Sequence, residues 1–284
     1  MAMGEAMLAE KELERSAQAV GIPSCPAVLL DLSAETKKED PDLRKVEALV
    51  SKDMGLLATL LKTVNSPYYG LRSKVGTVRQ AIQVIGISML ARTVTGIVLK
   101  KALSGNQPGM EAFWDASAKA AMVASFIAKQ LPGMNKEEAY TFGLFQNCGI
   151  PILMQRFPDY RKTLAQAEGD AERKHTEVEE AAHGTDHATM GYLLTKSWNL
   201  PEDISQAIRY HHEYALVADA KAQLSTQSRN LMAMGLAADH ALNMHAGSNV
   251  SVEWSKGGPY ALAHLGLVKA EFDEIVSDLT VMLG

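Results

Sequence analysis

Three histidines and one aspartate in the second half of the chain have the types and spacing to share a metal ion. In "PEDISQAIRYHH", Ile204, Ile208 and His211 follow at i, i+4 and i+7, so His211 falls on an apolar helical stripe and faces inward. His212 is rotated about 100° from it, toward the helix edge. In "SRNLMAMGLAADHALN", Leu231, Gly235, Asp239 and Leu242 lie along one face. A carboxylate on such a stripe is costly unless it has a partner. His187 falls in the first turn of its own helix. Imidazole nitrogens and a carboxylate suit Zn²⁺, Fe²⁺ or Mn²⁺. A hydrogen-bonded His–Asp pairing in the core would use the same residues, and spacing alone favours that pairing over a metal.

Other reactive groups carry less. Cys148 has no evident base beside it and reads as a buried, inert thiol. "NSPYYGL" places Tyr68 and Tyr69 at a turn, either as contacts for a partner or, more in keeping with a turn, as anchors against the core. The 14 methionines read as core filler.

The elements that must position these residues are helical. "DLRKVEALVSKD" sets Leu43, Val46, Leu49 and Val50 on one stripe, and "MGLLATLLKTVN" repeats the pattern. Thr77 caps a helix that Gly86 interrupts, and a second runs from about Ser88 to Leu103. "SGNQPGM", residues 104–110, is the best lobe boundary. The alanine-rich "EAFWDASAKAAMVASFIAKQL" implies close approach to a neighbouring helix. Asn135 and Glu138 form an N-cap and N3 pair. Asp186 caps the helix of His187. "AEGDAERKHTEVEEAAHG" reads as a solvated helix plus connection, and "AGSNVSVEWSKGGPY" as a polar loop. No β-alternation is long enough to build a sheet. The expected fold is all-α, in two packed lobes: residues 1–108, 109–245, and a C-terminal loop with short helices over 246–284.

Composition bounds the function. The chain has 284 residues, 47% hydrophobic and 21% charged, enough for a sizeable core. A net charge of −5 argues against broad adhesion to nucleic acid. Two distant cysteines, Cys25 and Cys148, make no disulfide framework and imply a reducing cytoplasm. The N-terminal stretch reads as an amphipathic helix and not a signal peptide. The apolar run "GISMLARTVTGIVLKKAL" carries Arg92, Lys100 and Lys101 and reads as a buried helix, so no membrane is expected.

The segments "IPSCPAVLLDL", "LLKTVNSPYYGL", "TVRQAIQVIG", "FWDASAKAA", "AYTFGLFQNCGI", "TDHATMGYLLTKSWNLP" and "AIRYHHE" occur in the order of an HDOD domain, the HD-related output domain of bacterial signalling proteins. The chain resembles that family over residues 20–215 and on to about 245. The resemblance implies an N-terminal helical lobe and a C-terminal lobe like the HD phosphohydrolase core. It also implies where metal ligands of active relatives would stand. The first histidine falls at Ala116, the His-Asp doublet at Gln146 and Asn147, and a lysine of cyclic-dinucleotide hydrolases at Ile150. The later ligands match His187, His211, His212 and Asp239. Amides and a methyl group cannot replace the charge of a bridging carboxylate. Paired ions about 3.5–4 Å apart, the clamp of a two-metal hydrolase, are therefore not expected.

The expectation is a non-catalytic signalling module that acts through a protein partner or a nucleotide-like ligand, with no cofactor. The alternative is a metal-dependent phosphohydrolase with a rebuilt site, holding one Zn, Fe or Mn ion on His187, His211, His212 and Asp239. A third reading is a purely structural or assembly role.

Overall fold

The computed structural model describes residues 21–104, 109–248 and 250–283, with side chains through residue 279. The helix expected in the first 20 residues, and most of "SGNQPGM", lie outside the described residues. Among the described residues every regular element is a helix and none is a strand. The chain divides into two compact units, Cys25–Leu103 and a larger one built on Ser104–Leu279.

The smaller unit contains α1 (Ala27–Thr36), α2 (Leu43–Ser51), α3 (Met54–Val64) and α4 (Val78–Leu103). Asp42 and Asp53 cap α2 and α3, each accepting two backbone N–H groups that the first turn leaves unpaired. Val46, Leu49 and Val50 of α2 are buried, whereas Leu43 at its first position is exposed, because the stripe begins only after the cap. Between α3 and α4 the Asn65 side chain does the work of a backbone. It accepts from Val75 N and donates to Val75 O, both at 2.8 Å. That clip closes a loop holding a 3₁₀ turn at Pro67–Tyr69. Tyr68 and Tyr69 meet edge to face there, half-buried, and Tyr69 approaches Thr93 of α4. Burial pushes the Tyr69 hydroxyl up to about 12.

Helix α4 is long and apolar enough by composition to cross a membrane. Gly86, at φ 79° and ψ 160°, breaks it into two helices, a conformation only glycine adopts without strain. Met89, Leu90, Val94, Val98 and Leu99 are buried within the unit, which is how a core helix of this composition behaves.

The larger unit begins with α5 (Met110–Gln130) and α6 (Lys136–Phe145). These two pack closely: a Cβ on Gly143 would lie 2.9 Å from Ala120 O and from Ala121 Cα. The alanine face of α5 exists for that approach. Asn135 accepts from the backbone of Glu137 and Glu138, capping α6. Next come α7 (Gly149–Arg156), α8 (Tyr160–Gly169), α9 (His175–His183), α10 (His187–Ser197), α11 (Glu202–Tyr210), α12 (Tyr214–Ala218), α13 (Thr226–His245), α14 (Val252–Leu265) and α15 (Lys269–Leu283). Helix α13 runs through the middle of the unit and packs on α5, α6, α11 and α14.

Two segments depart from the sequence reading. The polar stretch before His187 is not a solvated helix: its second half is α9, which buries His175, Val178 and Glu179. The stretch read as a polar loop is largely α14. Gly257 and Gly258, counted with that loop, serve as gaps inside the helix. A Cβ on Gly257 would meet the Tyr214 ring at 2.5 Å, and one on Gly258 the Trp254 ring at 2.7 Å. Pro259 sits inside α14 and forfeits one helical hydrogen bond.

Candidate functional site

The site is built where four histidines of α9, α10 and the end of α11 converge. His187 occupies the first position of α10, behind its cap Asp186, which accepts from the Thr189 backbone at 2.7 Å. Close packing of α7 against α10 fixes the height of His187. A Cβ on Gly149 would lie 2.0 Å from the His187 carbonyl oxygen, so only glycine fits. Opposite, Glu179 stands one turn after His175 on α9, placing both on the same inward face.

Each histidine is anchored through Nδ1. His187 Nδ1 donates to Glu179 Oε2 at 2.7 Å, and its backbone N–H donates to the same oxygen at 3.0 Å. Tyr160 donates to the other oxygen of Glu179. His211 Nδ1 donates to the Ile208 carbonyl at 2.7 Å, one of those left free where α11 ends. His212 Nδ1 donates to Glu253 Oε2 at 2.6 Å, and Tyr214 donates to that carboxylate oxygen as well. His175 donates to the Leu164 carbonyl, and its Nε2 is buried with no hydrogen-bond partner.

The Nε2 atoms therefore face one another. His187 Nε2 lies 3.2 Å from His211 Nε2 and 3.1 Å from His212 Nε2. The donor atoms of His175, His187 and His212 all lie within 4.8 Å of one another. Burial, then the charge of His187, pulls the pKa of His175 down to about 4 and that of His211 to about 3. Burial and the neighbouring imidazoles push His212 well below its ordinary value. These rings are neutral near pH 7 and present lone pairs. His187 differs: burial opposes its protonation, but the Glu179 carboxylate outweighs burial and raises its pKa. Burial also works against a charged Glu179, yet His187 and the hydrogen bonds hold it at about 2.

The expected rotation of His211 and His212 is reversed. His212 is buried and His211 half-buried. The reason is local: α11 ends at Tyr210, so the helical 100° step no longer sets the direction of His212.

Asp239 does not join the histidines in the group of mutually close donors. Its two oxygens accept from Gln146 Nε2 at 3.1 and 3.0 Å. Burial raises the Asp239 carboxyl to about 7, with the Gln146 amide acting in the opposite direction. A Cβ on Gly235 would strike Phe142 at 2.3 Å and Gln146 Oε1 at 2.5 Å, so the glycine one turn before Asp239 makes room for this contact. Ala116, Gln146, Asn147 and Ile150 border one cavity of about 430 Å³ together with His175, His211, His212, Asp239 and Glu253. Positions scattered over more than a hundred residues thus meet at one space. Cys148 lies beside it, buried, with its thiol pKa pushed far up by burial.

The residues fit one metal ion and do not fit two. On the histidine side, buried imidazoles anchored by carboxylates and carbonyls are what a transition ion requires of its surroundings. Two carboxylates, Glu179 and Glu253, stand behind them and offset the charge of one dication, with Lys256 Nζ 3.7 Å from Glu253 Oε1 sharing the second. On the facing side are a methyl group, two carboxamides and a carboxylate already engaged by one of those amides.

The HDOD domain profile matches residues 22–214. The chain belongs to the HDOD family. A curated relative of the HDOD chain, an uncharacterized protein of Treponema pallidum, is 24% identical over 192 residues, which is 67% of this chain. The chain spans only 37% of that relative's length. Among solved structures, a protein named as a candidate signal transduction protein from Marinobacter aquaeolei has a TM-score of 0.72 at 20% identity, covering 97% of this chain and 64% of that one. A protein named as a candidate phosphohydrolase from Shewanella amazonensis has a TM-score of 0.70 at 20% identity, covering 95% and 94%. These likenesses establish the HDOD chain's all-helical fold, with its HD-like unit.

Sequence reasoning missed His175, Glu179 and Glu253 in this HDOD site. All three lie in segments whose polar composition suggested solvent. One signal was legible: His175 and Glu179 share a helical face with Val178 beside them.

Proposed function

We propose that this HDOD chain is a non-catalytic regulatory module, acting in the cytoplasm through a signalling protein partner or a nucleotide-like ligand taken into its cavity. The observation that carries this reading is the contact between Gln146 and Asp239. An amide donor occupies both carboxylate oxygens that a second metal would need. Ala116 and Asn147 on the same wall supply no charge. A hydrolytic clamp draws its power from two ions that hold the attacking and leaving oxygens together, and this wall supports no second ion. What remains is a largely apolar cavity, bordered by side chains such as Leu164, Met232 and Leu236, in which the amides of Gln146 and Asn147 and the imidazoles are placed to hydrogen-bond a base edge.

The histidine group favours a second reading, a hydrolase working with a single ion. The two are separated by incubating the protein with phosphomonoesters and with linear and cyclic phosphodiesters, in Mn²⁺, Fe²⁺ or Zn²⁺. The regulatory reading expects no turnover above the metal-only blank. Metal-dependent turnover that disappears in His211→Ala would refute it.

A further inference from the structure

We infer that His175 is a ligand of a single buried divalent transition-metal ion, held through Nε2 together with His187 and His212. The inference stands apart from the regulatory reading, because it concerns the histidine side of the cavity and requires no turnover.

His175 lies outside the set of positions that the resemblance to metal-binding relatives supplies. It enters on geometry alone. Its residue is 7% exposed, and its Nε2 has no hydrogen-bond partner. A buried, unpartnered imidazole nitrogen is costly and calls for an explanation. The unpartnered atom belongs to the trio whose donors fall within 4.8 Å of one another. Around a tetrahedral ion with Zn–N bonds of about 2.0–2.1 Å, ligand atoms lie about 3.3–3.4 Å apart. The 3.1 Å between His187 Nε2 and His212 Nε2 is close to that edge. With the histidines held by Nδ1, their lone pairs oppose one another unless a proton or a cation lies between them. His211 flanks the trio, 3.2 Å from His187 Nε2, and is the nearest donor for a fourth position.

Charge supports one ion of charge +2. As ligands the three imidazoles are neutral, His187 giving up its proton on binding, and contribute none. Glu179 behind His187 and Glu253 behind His212 contribute two negative charges, the second partly offset by Lys256 at 3.7 Å, which leaves room for one dication and not for two. Donors that are all imidazole suit zinc and its first-row neighbours and do not suit magnesium or calcium.

The test uses Zn²⁺ as the probe on the full chain. Affinity is read by competition with a chromophoric chelator, coordination by X-ray absorption at the zinc edge, and stability by thermal melts with and without zinc. The wild type is expected to bind one ion with at least three imidazoles. His175→Gln should bind at least tenfold more weakly and lose one imidazole from the absorption spectrum. The rise in melting temperature that zinc produces should be clearly smaller in His175→Gln than in the wild type, whatever the offset between the two metal-free proteins. A residue that merely packs would lower the metal-free and zinc-loaded melting temperatures equally and leave the zinc-induced rise at its wild-type size, which would overturn the proposal. So would wild-type affinity and imidazole count in the variant, or a wild type that fails to bind zinc.

Discussion

Replacing Glu179 with alanine lowers the stability of the fold by about 3–5 kcal/mol, the range for breaking a buried charged pair from one side. Three donors lose their acceptor at once: the His187 backbone N–H, the His187 ring and the Tyr160 hydroxyl. Glu179 and His187 are both fully buried, so water cannot replace what is lost. Urea unfolding near pH 7 measures the effect, and Glu179→Gln should lose less, because an amide oxygen still accepts. The pH dependence has a definite sign. The folded-state pKa of Glu179 is about 2, below the 4.5 of a free glutamate side chain. Its stabilisation is therefore complete above about pH 4.5 and lost as pH falls toward 2. A loss under about 1 kcal/mol for Glu179→Ala would mean that water reaches this pair, and the rigid anchoring of His187 would not hold.

Asp239→Asn should act in the opposite direction and stabilise the protein by up to about 4 kcal/mol at pH 7 and above. The Asp239 carboxyl is raised to about 7 by burial, against 3.8 for a free aspartate side chain. The folded state thus binds a proton that the unfolded chain releases. Wild-type stability is greatest below about pH 4, declines as pH rises to about 7, and is level beyond. An asparagine has no charge to bury, keeps its size and still hydrogen-bonds Gln146. The gain of the variant should grow across that same window. Asp239 borders the cavity, so the figure is a ceiling. Denaturant melts of both proteins at pH 4, 5.5 and 7.5 measure it. Destabilisation by Asp239→Asn at pH 7.5 would show that the carboxylate is ionised and serves a cation.

The helical architecture was legible in the sequence because its stripes, caps and breaks are local. Asn135, Asp186 and the break at Gly86 each act within a turn or two of themselves. The gathering of His187, His211 and His212 was legible from spacing and resemblance, since each residue marks a helix end. What was not legible depended on distant partners. Asp239 shares a stripe with leucines, and only the fold reveals that Gln146, 93 residues earlier, supplies its partner. His175, Glu179 and Glu253 sit in charged stretches whose exposed neighbours mask them. The stretch holding Gly257 and Gly258 read as a loop because sequence cannot tell a glycine that bends the chain from one that admits an aromatic ring.

The central claim is that one wall of the cavity has lost the charge that a second ion requires. Metal stoichiometry tests it most directly. The protein is saturated with Mn²⁺ or Zn²⁺, freed of loose ions, and its content measured by elemental analysis beside anomalous scattering from crystals. The account predicts at most one ion per chain, seated among the histidines and unaffected by Asp239→Asn. Two ions per chain, one of them bound by Asp239 with Gln146 displaced, would contradict it.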